Sequence, residues 1–284
     1  MKTGVQQIML GTVTGSEQTA LETLKKIKAF GYDGIELNSF QIHPTSWLVR
    51  LLTKAAGMPT GKGGNFDWHR LVKESGLDVI SLHTDLGSLK RDPAGIAKEA
   101  ASFGTGFVVI TGMYRFDYTS KAALDGLCRD LDQAGKALAA EGISLLYHNH
   151  NVEFLNIAGT EQKAYDYLLD HTDPAYVNFE LDTFWPAEAG VDALSLMDRV
   201  GGRLKLWHVT DRGSRLTGQV MTPIIKSESV EAGRGNMPLK ELAAKADHLG
   251  ARAAILETHR NWVDKSPLKS IEISGAWMKE QIHE

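Results

Sequence analysis

The sequence predicts a closed α/β barrel, (β/α)8, with the whole chain 1–284 as one domain. Three observations predict it. Short β-rich runs alternate with amphipathic stretches along the chain, and such alternation makes a parallel sheet the expected outcome. The length, 284 residues, suits a barrel of this kind. The run nearest the start is followed by LGTVTGSE (10–17), which lacks the glycine spacing of a dinucleotide-binding loop and so counts against an open, doubly wound sheet.

The candidate strands, in order, are VQQIML (5–10), GIELN (34–38), VISLH (79–83), FVVITG (107–112), SLLYHN (144–149), VNFELD (177–182), LKLWHV (204–209) and AAILET (253–258). SEQTALETLKKIKAFG (16–31) and SKAALDGLCRDLDQAGKALAAEG (120–142) carry apolar residues at helical spacing and close on Gly. Two spacers, 39–64 and 212–236, read as long loops. Both follow strands, which places them on the C-terminal face of a barrel, where active sites sit.

Composition is that of an ordinary folded domain, 43% hydrophobic and 23% charged. A net charge of −4 provides no electrostatic footprint for nucleic acid or an anionic membrane. The one cysteine, Cys128, excludes an intrachain disulfide and reads as a buried helix residue. No signal peptide and no membrane span are expected, so the expected location is the cytoplasm.

Strand parity concentrates the chemistry. In VNFELD, Val177, Phe179 and Leu181 share one face, and Asn178, Glu180 and Asp182 share the other. The apolar face should meet helices, which turns two carboxylates inward, where they need a counter-charge. Other strands repeat the pattern: Ser81, His83 and Asp85; His148 and His150 in register with Leu146; His208 with Leu204 and Leu206; Glu257 and His259 with Ile255; and Glu36 near the end of GIELN. Imidazoles and carboxylates without thiolates make a borderline-to-hard divalent site, Mn²⁺ most naturally, with Mg²⁺, Co²⁺ and Zn²⁺ as alternatives. Blander readings stand beside this one. Taken singly, His83 and His259 are hydrogen-bonded core residues, Glu36 pairs with a buried Arg or Lys, and Glu153 is a solvated loop carboxylate. His43, His69, His171 and His248 are surface residues.

Five segments carry a family likeness: GYDGIELN (31–38), FELDTFWPAEAGVD (179–192), WHVTD (207–211), EAGRGNMPLKEL (231–242) and ILET (255–258). In this order and spacing the chain resembles the xylose isomerase-like TIM-barrel superfamily, the sugar phosphate isomerase/epimerase group that also holds inosose dehydratase and endonuclease IV-type enzymes. The resemblance implies one divalent metal, with Asp182, His208 and Glu257 as ligands. His148 stands where relatives keep a Glu and is the implied fourth ligand, with Glu180 in competition. Trp185 falls where relatives often have a His.

The activity so implied is that of a metal-dependent isomerase or epimerase, which moves a proton next to a carbonyl of a keto-sugar or polyol. Glu257 is the acid/base, His148 a ligand or general base, and His150 a support. Glu36, His83, Glu180 and Arg212 are expected at substrate hydroxyls and Trp185 at an apolar wall. Because His148 breaks the symmetry of two carboxylates, elimination by a dehydratase or lyase is the alternative, and a non-catalytic sugar-binding barrel a second. Homo-oligomers are common in the group. The endonuclease branch fits poorly with the negative net charge.

Overall fold

The structure is a computed structural model that describes residues 1–44, 63–216 and 218–282. Much of the 39–64 spacer, residues 45–62, lies outside the described residues. The strands are β1 (Lys2–Gln6), β2 (Gly34–Asn38), β3 (Asp78–Thr84), β4 (Phe107–Thr111), β5 (Ser144–His148), β6 (Val177–Asp182), β7 (Leu204–Val209), β8 (Asp211–Gly213), β9 (Glu228–Val230) and β10 (Ala253–Leu256). Eight of them close into a barrel in the order β1-β10-β7-β6-β5-β4-β3-β2, and β8 and β9 form a separate two-stranded sheet. The expected (β/α)8 architecture is therefore present.

Two elements differ from expectation. VQQIML is not one strand: β1 stops at Gln6, and Gln7–Leu10 form a 3-10 turn. The Gln6 side chain accepts a bond from the Ile8 N–H, a local alternative to the sheet ladder, while the Gln7 carboxamide oxygen accepts the Asn38 N–H at 2.7 Å. The 212–236 spacer is not only a loop. It contains the antiparallel pair Asp211↔Val230, Arg212↔Ser229 and Gly213↔Glu228, and the connection exposes Leu216, Val220, Met221 and Ile224.

The residues fall into two compact units. The first comprises Met1–Asp78, His208–Ala244 and Ala253–Glu284. Here β1 is parallel to β2 with Gln6 opposite Glu36, and parallel to β10 with Val5 opposite Leu256. Helix Glu17–Ala29 starts at a Ser16–Thr19 capping box and buries Ala20, Thr23, Leu24 and Ile27. Asp211 staples the segment after the hairpin: its Oδ2 accepts the Gly235 N–H at 2.8 Å and its Oδ1 the Met237 N–H at 3.0 Å. A Cβ on Gly235 would stand 2.3 Å from the Arg212 carbonyl oxygen and 2.4 Å from Asp211 Oδ1. Gly235→Ala should therefore cost about 1–3 kcal/mol, as overpacking does, measurable as a lowered urea midpoint; an unchanged midpoint would refute the staple.

The second unit comprises Val79–Trp207 and Lys245–Arg252. Its strands β3, β4, β5 and β6 run parallel, with Thr111 opposite His148 and His148 opposite Glu180. Helix Lys121–Ala140, capped by Ser120, buries Leu124, Leu127, Cys128, Leu131 and Leu138, each large apolar side chain contributing ~1.5–3 kcal/mol. Phe179 lies 5.6 Å from Tyr165, a residue of helix Ala164–His171. The apolar face of β6 thus meets helix, and Glu180 and Asp182 turn the other way.

Candidate functional site

In the first unit, Glu36 alternates with Ile35 and Leu37, and His208 follows Leu204 and Leu206 on its face of β7. The His208 Nε2 lies 2.8 Å from Glu36 Oε1, and Nδ1 lies 2.9 Å from Glu257 Oε2. Between β2 and β7 the strand order places β1 and β10, so Glu36 reaches His208 through the barrel interior. His259 Nε2 is 3.6 Å from Glu257 Oε1. Ionised carboxylates only accept hydrogen bonds. His208 thus has a carboxylate oxygen within hydrogen-bond distance of each ring nitrogen.

In the second unit, Glu180 is the meeting point. Its Oε2 lies 2.9 Å from His83 Nε2 and 3.1 Å from His148 Nδ1. His83 on β3 meets Glu180 on β6 past β4 and β5, again through the interior. Asn149, fully buried, zips the strand ends together: its Nδ2 donates to the Asp182 carbonyl and its Oδ1 accepts the Asp182 N–H, both at 3.1 Å. Asp182 Oδ1 accepts the Phe184 N–H at 2.8 Å. The His150 ring stands 5.0 Å from that of His148 and 5.6 Å from that of Trp185. The half-buried Trp185 therefore lies beside the His150 imidazole.

Charge decides what such an arrangement needs. Glu36 and Glu180 are 0% exposed, Asp182 2% and Glu257 5%, and among the described residues no Lys or Arg is buried. Where an Arg or Lys partner is expected for Glu36, the structure shows His208 at 2.8 Å. Buried carboxylates each cost several kcal/mol by order of magnitude unless compensated. The compensating groups inside are imidazoles, His83, His148 and His208, which are weak cations near neutral pH. The donor set, oxygen and imidazole nitrogen without sulfur, suits a divalent ion. These buried His, Glu and Asp side chains could bind a metal.

Other expected residues settle as follows. Asp85 is exposed and caps helix Leu86–Arg91 through the Ser88 N–H at 2.8 Å, so it leaves the inward set. Glu153 is not solvated: it is 0% exposed, because Tyr147, in an otherwise apolar run, buries a hydroxyl that needs a partner. Arg212 lies in hairpin strand β8, half-buried. Trp207 is fully buried and donates to Thr183 Oγ1 at 3.0 Å. His43, His69, His171 and His248 are exposed.

Burial by itself would raise the Glu257 carboxyl, but the charges of His259 and His208 and their hydrogen bonds outweigh it and hold the group well below the usual carboxylate range. A carboxyl lowered in the folded state contributes stability above its unfolded pKa and loses it as pH falls through the folded value. In chelator-treated protein, the urea midpoint of the wild type should therefore fall more steeply than that of Glu257→Gln below about pH 5. Equal slopes would contradict a depressed carboxyl.

Residues 24–281 match the xylose isomerase-like TIM-barrel family. The chain belongs to that family. As a xylose isomerase-like barrel it superposes on a sugar phosphate isomerase/epimerase from Parabacteroides distasonis with a TM-score of 0.76 at 20% identity, covering 98% of this chain and 93% of that one. A xylose isomerase-like TIM-barrel protein from Mycobacterium smegmatis, solved in complex with magnesium, superposes at 0.64 and 13% identity over 99% of this chain and 96% of that one. These two likenesses concern the fold. In sequence, the barrel is 30% identical over 95 residues to the inosose dehydratase of Mesomycoplasma hyopneumoniae strain 7448, a match spanning 33% of this chain and 30% of that protein. Among the described residues, no helix is long and apolar enough to cross a membrane.

Proposed function

We propose that this xylose isomerase-like barrel, working as one domain over 1–284, is a divalent-metal-dependent isomerase or epimerase acting on a keto-sugar or polyol. The observation that carries the reading is the set of buried carboxylates and imidazoles, oxygen and nitrogen donors without sulfur. Two sets of four buried side chains could hold an ion: His148, Asp182, His208 and Glu257, and a second in which Glu36, His83 and Glu180 join His208. His148 is our choice for the fourth place, with Glu180 in competition. Manganese remains the cation of choice on ligand chemistry, with magnesium, cobalt and zinc as competitors.

A bound divalent cation polarises carbonyl and hydroxyl oxygens as a Lewis acid. The chain's own groups do the rest. Glu257 removes the proton from the carbon beside the carbonyl and returns it, a task for a carboxylate close to its reacting atom. His150 supports that transfer. Glu36, His83, Glu180 and Arg212 orient hydroxyls, and Trp185 presents an apolar face. Elimination is the second reading, favoured by His148 standing in place of a carboxylate and by the partial match to an inosose dehydratase.

Metal analysis tests the first step. The purified protein should carry stoichiometric divalent metal, or gain thermal stability on addition of Mn²⁺ after chelation, as any ligand of the folded state confers. Protein without stoichiometric metal and without a thermal shift on adding Mn²⁺ would sink both readings. Deuterium uptake from solvent into a keto-sugar without net conversion supports epimerisation, and a rising enone absorbance supports elimination.

A further inference from the structure

We propose that Glu153 is a positioning residue, which fixes the imidazole of His150 through a buried clamp formed with Tyr147, Tyr118 and Gly112. The clamp stands on its own geometry; its bearing on chemistry rests on the function proposed above.

The Glu153 carboxylate spends both oxygens on the second unit. Oε1 accepts the Tyr147 hydroxyl at 2.9 Å, and Oε2 accepts the His150 N–H at 3.0 Å. Because Tyr147 gives its proton to Glu153, the hydroxyl of Tyr118, 2.9 Å away, donates to Tyr147. Tyr118 in turn accepts the Met113 N–H at 2.8 Å. The chain of bonds thus runs from Met113, just past β4, to His150, just past β5, with Glu153 at its head. Tyr118, Tyr147 and Glu153 are all buried.

Gly112 makes room for the clamp. A Cβ there would lie 2.6 Å from Glu153 Oε1, 3.2 Å from Tyr118 Oη and 3.4 Å from His150 Nδ1. The first of these is a clash, and Glu153, tied at both oxygens, has nowhere to retreat. Burial pushes the Glu153 carboxyl up, and the bonds from Tyr147 and His150 pull it back. An apolar residue would fill the space without that desolvation cost. What the carboxylate adds is direction: it holds the His150 backbone, and with it the ring that faces His148 and Trp185. Small misplacements of a reacting or supporting group are costly to catalysis.

The test reads His150 directly. In protein labelled with ¹³C-histidine, the His150 Cε1–H resonance is assigned by its loss in His150→Gln. In Glu153→Met no oxygen remains to accept the His150 N–H, so the resonance should leave the position set by the Trp185 and His148 rings. Gly112→Ala should displace it likewise. His171, stacked on Tyr167 at 3.8 Å, reports on folding and should not move. Tyr147→Phe, which removes only a hydroxyl, is read in the same way if either variant fails that control. An unmoved His150 in the folded variants overturns the clamp.

A second arm follows deuterium uptake from solvent into inosose or D-fructose with Mn²⁺ present. The expected result in Glu153→Met is a fall in kcat of about 100-fold with KM little changed. A wild-type rate with a displaced His150 overturns the catalytic role. No uptake by the wild type counts against the proposed epimerase and leaves the resonance to decide the clamp.

Discussion

His208→Ala should destabilise the metal-free protein by about 3–5 kcal/mol, the cost of removing one partner from a buried ion pair. The imidazole lies between Glu36 Oε1 at 2.8 Å and Glu257 Oε2 at 2.9 Å, and both carboxylates are buried. Without it, two negative charges remain inside with one neighbour fewer. Urea unfolding in the presence of a chelator measures the loss. The same variant should lose its thermal response to Mn²⁺, since His208 belongs to both sets of residues that could hold an ion. A loss under about 1 kcal/mol, the size expected of a surface pair, would show that His208 is no keystone of the interior.

Glu257→Gln should lower the rate of proton exchange by about 10²–10⁴-fold, the usual contribution of a positioned acid/base. Glutamine keeps the shape and an oxygen that can accept from His208, so stability should change less than in His208→Ala. It cannot carry the proton. Solvent deuterium uptake into a keto-sugar measures the rate, and the urea midpoint separates lost chemistry from lost fold. Exchange within about tenfold of the wild type would move the acid/base role away from Glu257.

The barrel was legible in the sequence because its strands combine β-rich composition with strict parity. VNFELD reads the same in sequence and in structure, since Phe179 has a helix to face and Glu180 has two imidazoles. VQQIML misled because its glutamines look like strand residues on composition, while the Gln6 carboxamide bonds locally to Ile8 and that of Gln7 reaches across to Asn38 at the end of β2. The hairpin β8/β9 was hidden because each strand is only three residues long, too short for a period to show. At the site, the inward carboxylates and imidazoles followed from alternation alone. Glu153, Tyr118 and Gly112 did not, because their contact joins two turns that sequence spacing does not relate. Asp85 looked like part of the inward series, yet the strand ends at Thr84 and the next residue serves the helix that follows.

Asn149 has a consequence for motion. The last backbone pairing of β5 and β6 puts His148 opposite Glu180; beyond it, a side-chain amide copies a peptide group and carries the ladder on to Asp182. Strand ends ordinarily fray, and local opening is cheapest where backbone bonds run out. Here the opening that would part His148 from Asp182 must break two further buried bonds at once. That end of the β5–β6 pair should therefore open more slowly than a strand end without such a bridge.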